Sequence, residues 1–175
     1  MKEGIKIAIS GKSGCGNSTV SRLVAERLGL RVINYTFHTM ADEMNIDFKE
    51  LCDLAEQDPK YDRHLDSKQV QLAEEGNCVL GSRLAIWMLE SADVKVFLEA
   101  PMEVRARRIQ EREGGGYKQV LAETKERDRR DTERYKRLYD IDNNRYGFAD
   151  LILDVSEIDQ YRAAEEIVRA AETIQ

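Results

Sequence analysis

The sequence contains few of the residues that build disulfide frameworks or zinc sites. Its 175 residues include three cysteines, Cys15, Cys52 and Cys78, with no CxxC spacing, and its two histidines are His38 and His64. A disulfide framework or a structural zinc site needs several such residues at close spacing. We therefore expect free thiols, with Cys78 in a strand core and Cys15 contributing its backbone. Oxidation of Cys15 is the lesser alternative.

Long apolar runs are also missing. No stretch approaches the roughly 20 apolar residues that a membrane span requires, and the few apolar residues after Lys2 are too short for a signal peptide. At 42% hydrophobic and 34% charged residues, the composition is that of a globular domain. These features predict one cytoplasmic domain with no membrane partner, and we expect a monomer rather than a dimer.

The negative net charge of −6 conceals a basic segment. Residues 103–139 contain twelve Lys or Arg against eight Asp or Glu, and nine of the chain's 17 arginines lie between Arg105 and Arg137. Arginine is well suited to bidentate contacts with phosphate. A small anionic ligand explains this segment better than nucleic acid does, because the rest of the chain is acidic. A solvated helix with Arg–carboxylate pairs is the simpler alternative.

Residues 11–18, GKSGCGNS, differ at one position from the phosphate-binding pattern GxxxxGK[ST]. In that pattern backbone N–H groups surround a phosphate, the lysine reaches the β- and γ-phosphates, and the Ser or Thr hydroxyl binds Mg²⁺. Here Asn17 replaces the lysine, and Ser18 remains as the predicted Mg²⁺ ligand. The predicted phosphate-binding residues are Gly11, Ser13, Gly14, Cys15, Gly16, Asn17, Ser18 and Thr19.

The missing lysine raises a question about catalysis. One such donor is commonly worth about 2.7–4 kcal/mol, so its loss predicts a rate two to three orders of magnitude lower unless another cation compensates. Lys12, the second residue of the loop, is the candidate. Some P-loop ATPases of the deviant Walker type carry an additional lysine there, although they keep the other lysine too. A solvated Lys12 is the alternative.

Five short apolar segments alternate with helical patterns, which predicts a parallel five-stranded sheet in a three-layer α/β fold. The segments are 5–10, 30–33, 77–80, 94–98 and 151–153. Two further stretches have helical patterns and no strand signal. They are an acceptor-binding insertion over about 36–76 and a lid over about 114–137, which leave a core of about 1–35, 77–113 and 138–175.

Several longer segments resemble the cytidylate kinases of the P-loop nucleoside monophosphate kinase family, in particular the archaeal-type members. The resemblance is carried by residues 58–66, 82–88 and 92–105, and most specifically by the RDxxDxxR pattern of residues 127–134 followed by 139–142. It implies a P-loop fold for the three-layer α/β domain, with ATP and Mg²⁺ as cofactors. It also implies phosphoryl transfer to CMP or dCMP, and small nucleotides as the binding partners.

The resemblance also implies roles for individual residues. Arg127 and Asp131 would contact the sugar side of the acceptor, Arg134 would bridge phosphates during transfer, and Lys12 completes the predicted catalytic set. Arg108 and Arg112 are candidates for the ATP side of the lid. The predicted acceptor-binding residues are His38, Asp62, Arg63, Arg83 and Trp87. The alternatives are surface ion pairs for the arginines of the lid and core packing for Trp87.

Three positions depart from the family pattern: Asn17, Gly81 where a carboxylate is usual, and His38 where an arginine is usual. They leave two alternatives to an active CMP kinase. One is a nucleotide-binding protein with the kinase shape and weakened turnover, and the other is a kinase for a different small acceptor.

Overall fold

A five-stranded parallel sheet forms the centre of the computed structural model, which describes residues 1–174. The strands are β1 (Lys6–Gly11), β2 (Arg31–Ile33), β3 (Cys78–Gly81), β4 (Val94–Glu99) and β5 (Leu151–Asp154). Every predicted strand is present within one residue of its expected ends, so the predicted α/β sheet is confirmed.

The strand order β2-β3-β1-β4-β5 places β1 at the centre. Ile9 of β1 is in register with Gly81 of β3, and Gly11 is in register with Leu98 of β4. The carboxyl ends of three neighbouring strands therefore meet where the phosphate-binding loop begins. In open parallel sheets this edge is where ligands bind.

Helices cover both faces of the sheet, as a central parallel strand requires. On one face, α1 (Asn17–Leu28) and α8 (Gln160–Glu172) bury Ile7, Ile9 and Val24 completely. On the other face, α5 (Ala85–Met88) packs over Leu80 and Phe97. Val20, Leu23 and Val24 lie on the buried side of α1, and the helix is capped by Gly29, whose φ of 65° suits glycine.

The segment between β2 and β3 contains three helices, α2 (Phe37–Met44), α3 (Phe48–Gln57) and α4 (Lys60–Glu74). They have a small core of their own, formed by Tyr35, Met40, Ala41 and Leu51. Because this core is separate from those of the sheet, the three helices can present a surface that faces the carboxyl edge.

Two helices follow β4: α6 (Met102–Glu113) and the 23-residue α7 (Tyr117–Tyr139), which are separated by three glycines, residues 114–116. Arg105 of α6 and Asp128 of α7 form a buried bidentate ion pair with N–O distances of 2.7 and 3.2 Å. The same guanidinium donates to the carbonyl oxygens of Ser13 (3.1 Å) and Ala100 (3.2 Å). Arg105 thus joins α7 to the phosphate-binding loop.

Across residues 1–174 no helix combines the length and apolar character of a membrane span.

Replacing Asp128 by alanine tests the importance of this pair. The change leaves the Arg105 charge buried without its carboxylate, which should lower the free energy of unfolding by about 3–5 kcal/mol. Glu126→Ala is the matched control on the same helix, since Glu126 pairs with Arg129 in solvent and should change stability little. Denaturant unfolding of both variants is the measurement, and equal losses would contradict the assignment.

Candidate active site

The loop between β1 and α1 has the backbone geometry of an anion site. Gly14 and Gly16 have φ values of 86° and 91°, and a Cβ added at Gly14 would lie 2.8 Å from the Arg105 carbonyl oxygen. Helix α1 begins without a side-chain cap. Its first N–H groups can therefore bind a phosphate, which the positive end of the helix dipole also favours.

Asn17 crosses this loop rather than pointing away from it. Its Nδ2 donates to the Gly11 carbonyl oxygen at 2.6 Å, and its Oδ1 is buried without a hydrogen-bond partner. The side chain occupies space beside Gly11, but it brings no charge. The positive charge that a lysine would supply must therefore come from other residues.

The Lys12 side chain is oriented by a contact with a distant part of the chain. Its Nζ donates to Asn144 Oδ1 at 2.7 Å, in the turn that follows α7. The residue also lines a cavity of about 10 Å³, together with Gly11, Arg83, Phe97, Asp128, Asp131 and Asn143. Lys12 therefore borders the same cavity as two other predicted site residues, Arg83 and Asp131, while its ammonium group contacts Asn144.

Ser18 and Thr19 are exposed in the first turn of α1, where the predicted Mg²⁺ ligand would need to lie. Among residues 1–174 no group of three or more His, Cys, Asp or Glu side chains could hold a metal ion. Mg²⁺ commonly takes one or two protein ligands and completes its shell with waters and substrate phosphates. One hydroxyl from Ser18 therefore fits a phosphate-bound Mg²⁺.

Gly81 shows why no carboxylate stands at the end of β3. A Cβ at this position would lie 2.2 Å from Ser21 Oγ, and the Ser21 hydroxyl is buried without a partner. A side chain at position 81 cannot enter unless Ser21 moves. The space of the usual carboxylate is thus filled from α1.

An open cleft of about 670 Å³ separates the insertion from α7. Its size is typical of a small-molecule site. Five arginines and four carboxylates contribute to its walls, which makes the cleft both polar and slightly basic. The lining residues are Phe37, Cys52, Ala55, Glu56, Pro59, Asp62, Arg83, Arg127, Arg130, Asp131, Glu133, Arg134, Arg137 and Leu138.

Three residues of the RDxxDxxR pattern, Arg127, Asp131 and Arg134, share the face of α7 that borders this cleft. Arg127 Nη1 donates to Ser13 Oγ at 3.1 Å, Asp131 pairs with Arg83 at 2.7 Å, and Arg134 pairs with Asp62 of α4. One helix face therefore contacts the phosphate-binding loop at one end and the insertion at the other. Asp131 and Arg134 therefore pair with residues outside α7, Arg83 and Asp62. The alternative of surface ion pairs within one helix does not describe these two residues.

In the Arg134–Asp62 pair the carboxylate is buried, whereas the Arg134 side chain is partly exposed to solvent. Burial raises the pKa of Asp62, and this effect exceeds the lowering by Arg134. Burial likewise raises the pKa of Asp66, whose Oδ2 accepts a hydrogen bond from the Tyr139 hydroxyl. Arg134 also has a buried Nε without a partner. The hydrogen-bonding capacity of its guanidinium is therefore only partly used by Asp62.

His38 is not brought into the cleft. Its ring is exposed and stacks on Phe48 at a centroid distance of 3.7 Å, while the preceding residue, Phe37, lines the cleft instead. The helical periodicity of α2 explains the difference, because neighbouring residues face directions about 100° apart. No pattern in the sequence distinguishes which of the two adjacent rings faces inward.

Three other predicted residues lie away from the cleft. Trp87 packs edge-on against Phe97 and Phe148, which is the core packing considered as its alternative. Arg63 donates to the Leu138 carbonyl oxygen at 3.4 Å and borders a separate surface groove. Arg112 is exposed and pairs with Glu113.

Arg108 belongs to a second pocket, of about 150 Å³, beside the phosphate-binding loop. Its Nη2 donates to the Val155 carbonyl oxygen just after β5. The pocket is also lined by Cys15, Gly16, Thr19, Ile158 and Gln160. Burial raises the pKa of Cys15 to about 11, so its thiol stays protonated and unreactive at neutral pH. Sequence analysis missed the contribution of residues 155–160, which no motif marks.

Comparisons with known proteins agree with this arrangement. The sequence profile described as "Cytidylate kinase-like family" matches residues 6–157. "Cytidylate kinase 2" of Borreliella afzelii is 48% identical over 167 residues, which cover 93% of this chain and 94% of that protein. "Cytidylate kinase" of Pyrococcus horikoshii is 38% identical over 158 residues, which cover 89% of this chain and 82% of that protein.

Solved structures share the fold at low sequence identity. Shikimate kinase from Bacteroides thetaiotaomicron has a TM-score of 0.64 and 17% identity, with 96% of this chain and 98% of that chain covered. Deoxyadenosine kinase from M. mycoides has a TM-score of 0.57 and 19% identity, with 97% and 100% covered. At this identity the similarity establishes the P-loop kinase fold alone. The matching profile and the relatives at 38–48% identity, which extend over most of the sequence, show that the chain belongs to the cytidylate kinase-like family.

Proposed function

We propose that this protein transfers a phosphoryl group from ATP to CMP or dCMP, giving CDP or dCDP. The observation that carries the proposal is the Arg127–Ser13 contact, because it joins the phosphate-binding loop to the arginine-lined cleft. Two phosphate sites that meet at one point are what an in-line transfer requires. The names of the curated relatives support nucleoside monophosphate kinase activity and a cytidine nucleotide as acceptor.

On the donor side, the loop and the uncapped start of α1 would bind the β- and γ-phosphates of ATP. The pocket lined by Arg108 lies next to the loop and has an apolar wall at Ile158, which suits the base of the nucleotide. Mg²⁺, held by Ser18 and the phosphates, would neutralise phosphate charge when bound. The chain itself contributes the backbone N–H groups that orient the transferred group.

On the acceptor side, the cleft offers charge at one wall and apolar surface at the other. Arg83, Arg127 and Arg134 would bind the acceptor phosphate and sugar side, and Asp131 would accept from a sugar hydroxyl. Phe37, Cys52 and Ala55 border the same cleft from α2 and α3. A flat pyrimidine ring can stack on Phe37, which makes this residue a better candidate than His38 for acceptor binding.

Transfer brings several negative charges together, and the residues near the loop carry the compensating cations. Asn17 contributes a neutral amide, whereas Lys12, Arg127 and Arg134 are all close to the proposed path. When an acceptor phosphate enters, Arg134 can exchange its Asp62 partner for phosphate oxygens. This exchange would place an arginine charge on the transferred group only when substrate is present.

A catalytically weakened nucleotide-binding protein is the second candidate function. Two observations favour it: the Asn17 amide lies where a lysine charge is usual, and Ser21 fills the space of the usual carboxylate beside Gly81. Both changes would slow transfer while leaving the backbone anion site intact.

A coupled assay with CMP, dCMP, UMP and AMP separates these functions. We expect Mg²⁺-dependent conversion of CMP to CDP by the wild type. Lys12→Ala should lower kcat by about 100-fold, because it removes a charge from the transition state. Asn17→Lys should weaken the activity less than Lys12→Ala does, because it leaves Lys12 in place and adds a cation to the loop.

The possible outcomes point to different conclusions. Measurable ATP binding without turnover of any acceptor would favour the weakened protein. Turnover of UMP or AMP without CMP would favour a kinase for another acceptor. An unchanged rate in Lys12→Ala would exclude compensation by Lys12 while leaving the kinase activity in place.

Adjacent rings in α2 provide a matched pair of variants for the acceptor site. Phe37→Ala should raise the KM for CMP about tenfold through loss of base stacking, with a smaller effect on kcat. His38→Ala should leave both constants near their wild-type values, because His38 stacks on Phe48 outside the cleft. Steady-state kinetics at saturating ATP is the measurement. A larger KM effect from His38→Ala would show that the acceptor phosphate reaches His38 after all.

A further inference from the structure

The contact between Lys12 and Asn144 joins residues that are 132 positions apart in the sequence. Asn144 lies in the turn after α7, and its own orientation is fixed locally. Asp142 Oδ1 accepts from the Asn144 backbone N–H at 3.0 Å and from Asn144 Nδ2 at 3.2 Å. With its Nδ2 turned toward Asp142, the amide presents its Oδ1 to the Lys12 ammonium group.

A side-chain hydrogen bond also connects this turn to α7, the helix that carries the RDxxDxxR residues. Asn143 is buried, and its Oδ1 accepts from the Thr132 hydroxyl at 2.8 Å. Thr132 directly follows Asp131 in α7. The position of the Lys12 ammonium group is therefore linked to α7 through two neighbouring asparagines.

The chemistry of the contact suits a cation that must remain available. An ammonium group has three N–H donors, and Asn144 Oδ1 uses one of them. The remaining two can donate to phosphate oxygens. Because an amide oxygen carries no net charge, it fixes the direction of the lysine without neutralising it, whereas a carboxylate at the same place would compete with phosphate as an ion pair.

We propose that Asn144 is a positioning residue, which holds Lys12 at the edge of the phosphate-binding loop so that its charge acts on the phosphates of the nucleotide. The proposal rests on the proposed function, in which the loop binds ATP. It assigns to the turn after α7 a task that a lysine at position 17 of the loop would make unnecessary.

A double-mutant cycle with Lys12→Ala and Asn144→Ala tests the proposal, with the Kd for ATP measured by calorimetry and kcat measured with CMP. Each single variant should weaken ATP binding and slow transfer, by about tenfold or more for Lys12→Ala because a hydrogen bond to a charged group is lost. In the Lys12→Ala background, Asn144→Ala should have no further effect on either quantity. Gln71→Ala is the matched control: its amide accepts from Lys68 Nζ at 3.4 Å on α4, and it should change neither.

Asn144→Asp distinguishes positioning from a structural role. It keeps the acceptor that faces Lys12 but loses the Nδ2 donor to Asp142, so thermal unfolding is measured alongside to separate any loss of stability from the change in ATP binding. The added charge should nevertheless raise the Kd for ATP, because the carboxylate pairs with Lys12 and repels phosphate. An Asn144→Asp variant that binds ATP as tightly as the wild type would overturn the proposal.

Other outcomes separate this proposal from the proposed function. Equal effects of Asn144→Ala in the wild-type and Lys12→Ala backgrounds would overturn the positioning role while leaving the kinase activity in place. Coupled losses of ATP affinity in a protein that phosphorylates no acceptor would support the positioning role and overturn the transfer activity. An absence of measurable ATP binding would overturn both.

Discussion

The buried guanidinium of Arg105 is the interaction on which the arrangement of the site depends. It binds Asp128 of α7, the Ser13 carbonyl oxygen of the phosphate-binding loop, and the Ala100 carbonyl oxygen after β4. A buried charge requires such partners, because an unpaired one is costly away from water. One side chain therefore fixes the loop, the carboxyl edge of the sheet and the helix of the lid in relation to one another. The residues that face the cleft take their positions from this arrangement.

Around Arg105, the positive charges lie at other positions than the lysine of the GxxxxGK[ST] pattern. The loop position itself holds a neutral amide, and the nearby cations come from other places: Lys12 at the start of the loop, and Arg127 and Arg134 on α7. Two of these have partners in the structure that a phosphate could join or replace, Asn144 for Lys12 and Asp62 for Arg134. Such partners keep the cations oriented in the absence of substrate, which lowers the cost of ordering them upon binding.

The sequence predicts most of the fold and part of the site. The short apolar strands and the helical pattern of the lid segment are local signals, and the structure has five parallel strands and the helix α7 at these places. The contacts that sequence reasoning missed are not local. The Lys12–Asn144 bond joins distant parts of the chain, and Ser21 reaches the space beside Gly81 from another element. Whether Phe37 or His38 faces the cleft depends on the rotation of α2 about its axis. That rotation is set by the packing of Met40 and Ala41 in the small core of the three helices.

A crystal structure of the protein with a non-hydrolysable ATP analogue, Mg²⁺ and CMP would test the central claim most directly, namely that Lys12 supplies the charge that the loop lacks. We expect Lys12 Nζ about 3 Å from an oxygen of the β- or γ-phosphate, within hydrogen-bonding distance. We also expect Asn17 to remain bonded to the Gly11 carbonyl oxygen. A complex in which Lys12 stays away from the phosphates and the Asn17 amide alone contacts them would contradict the account.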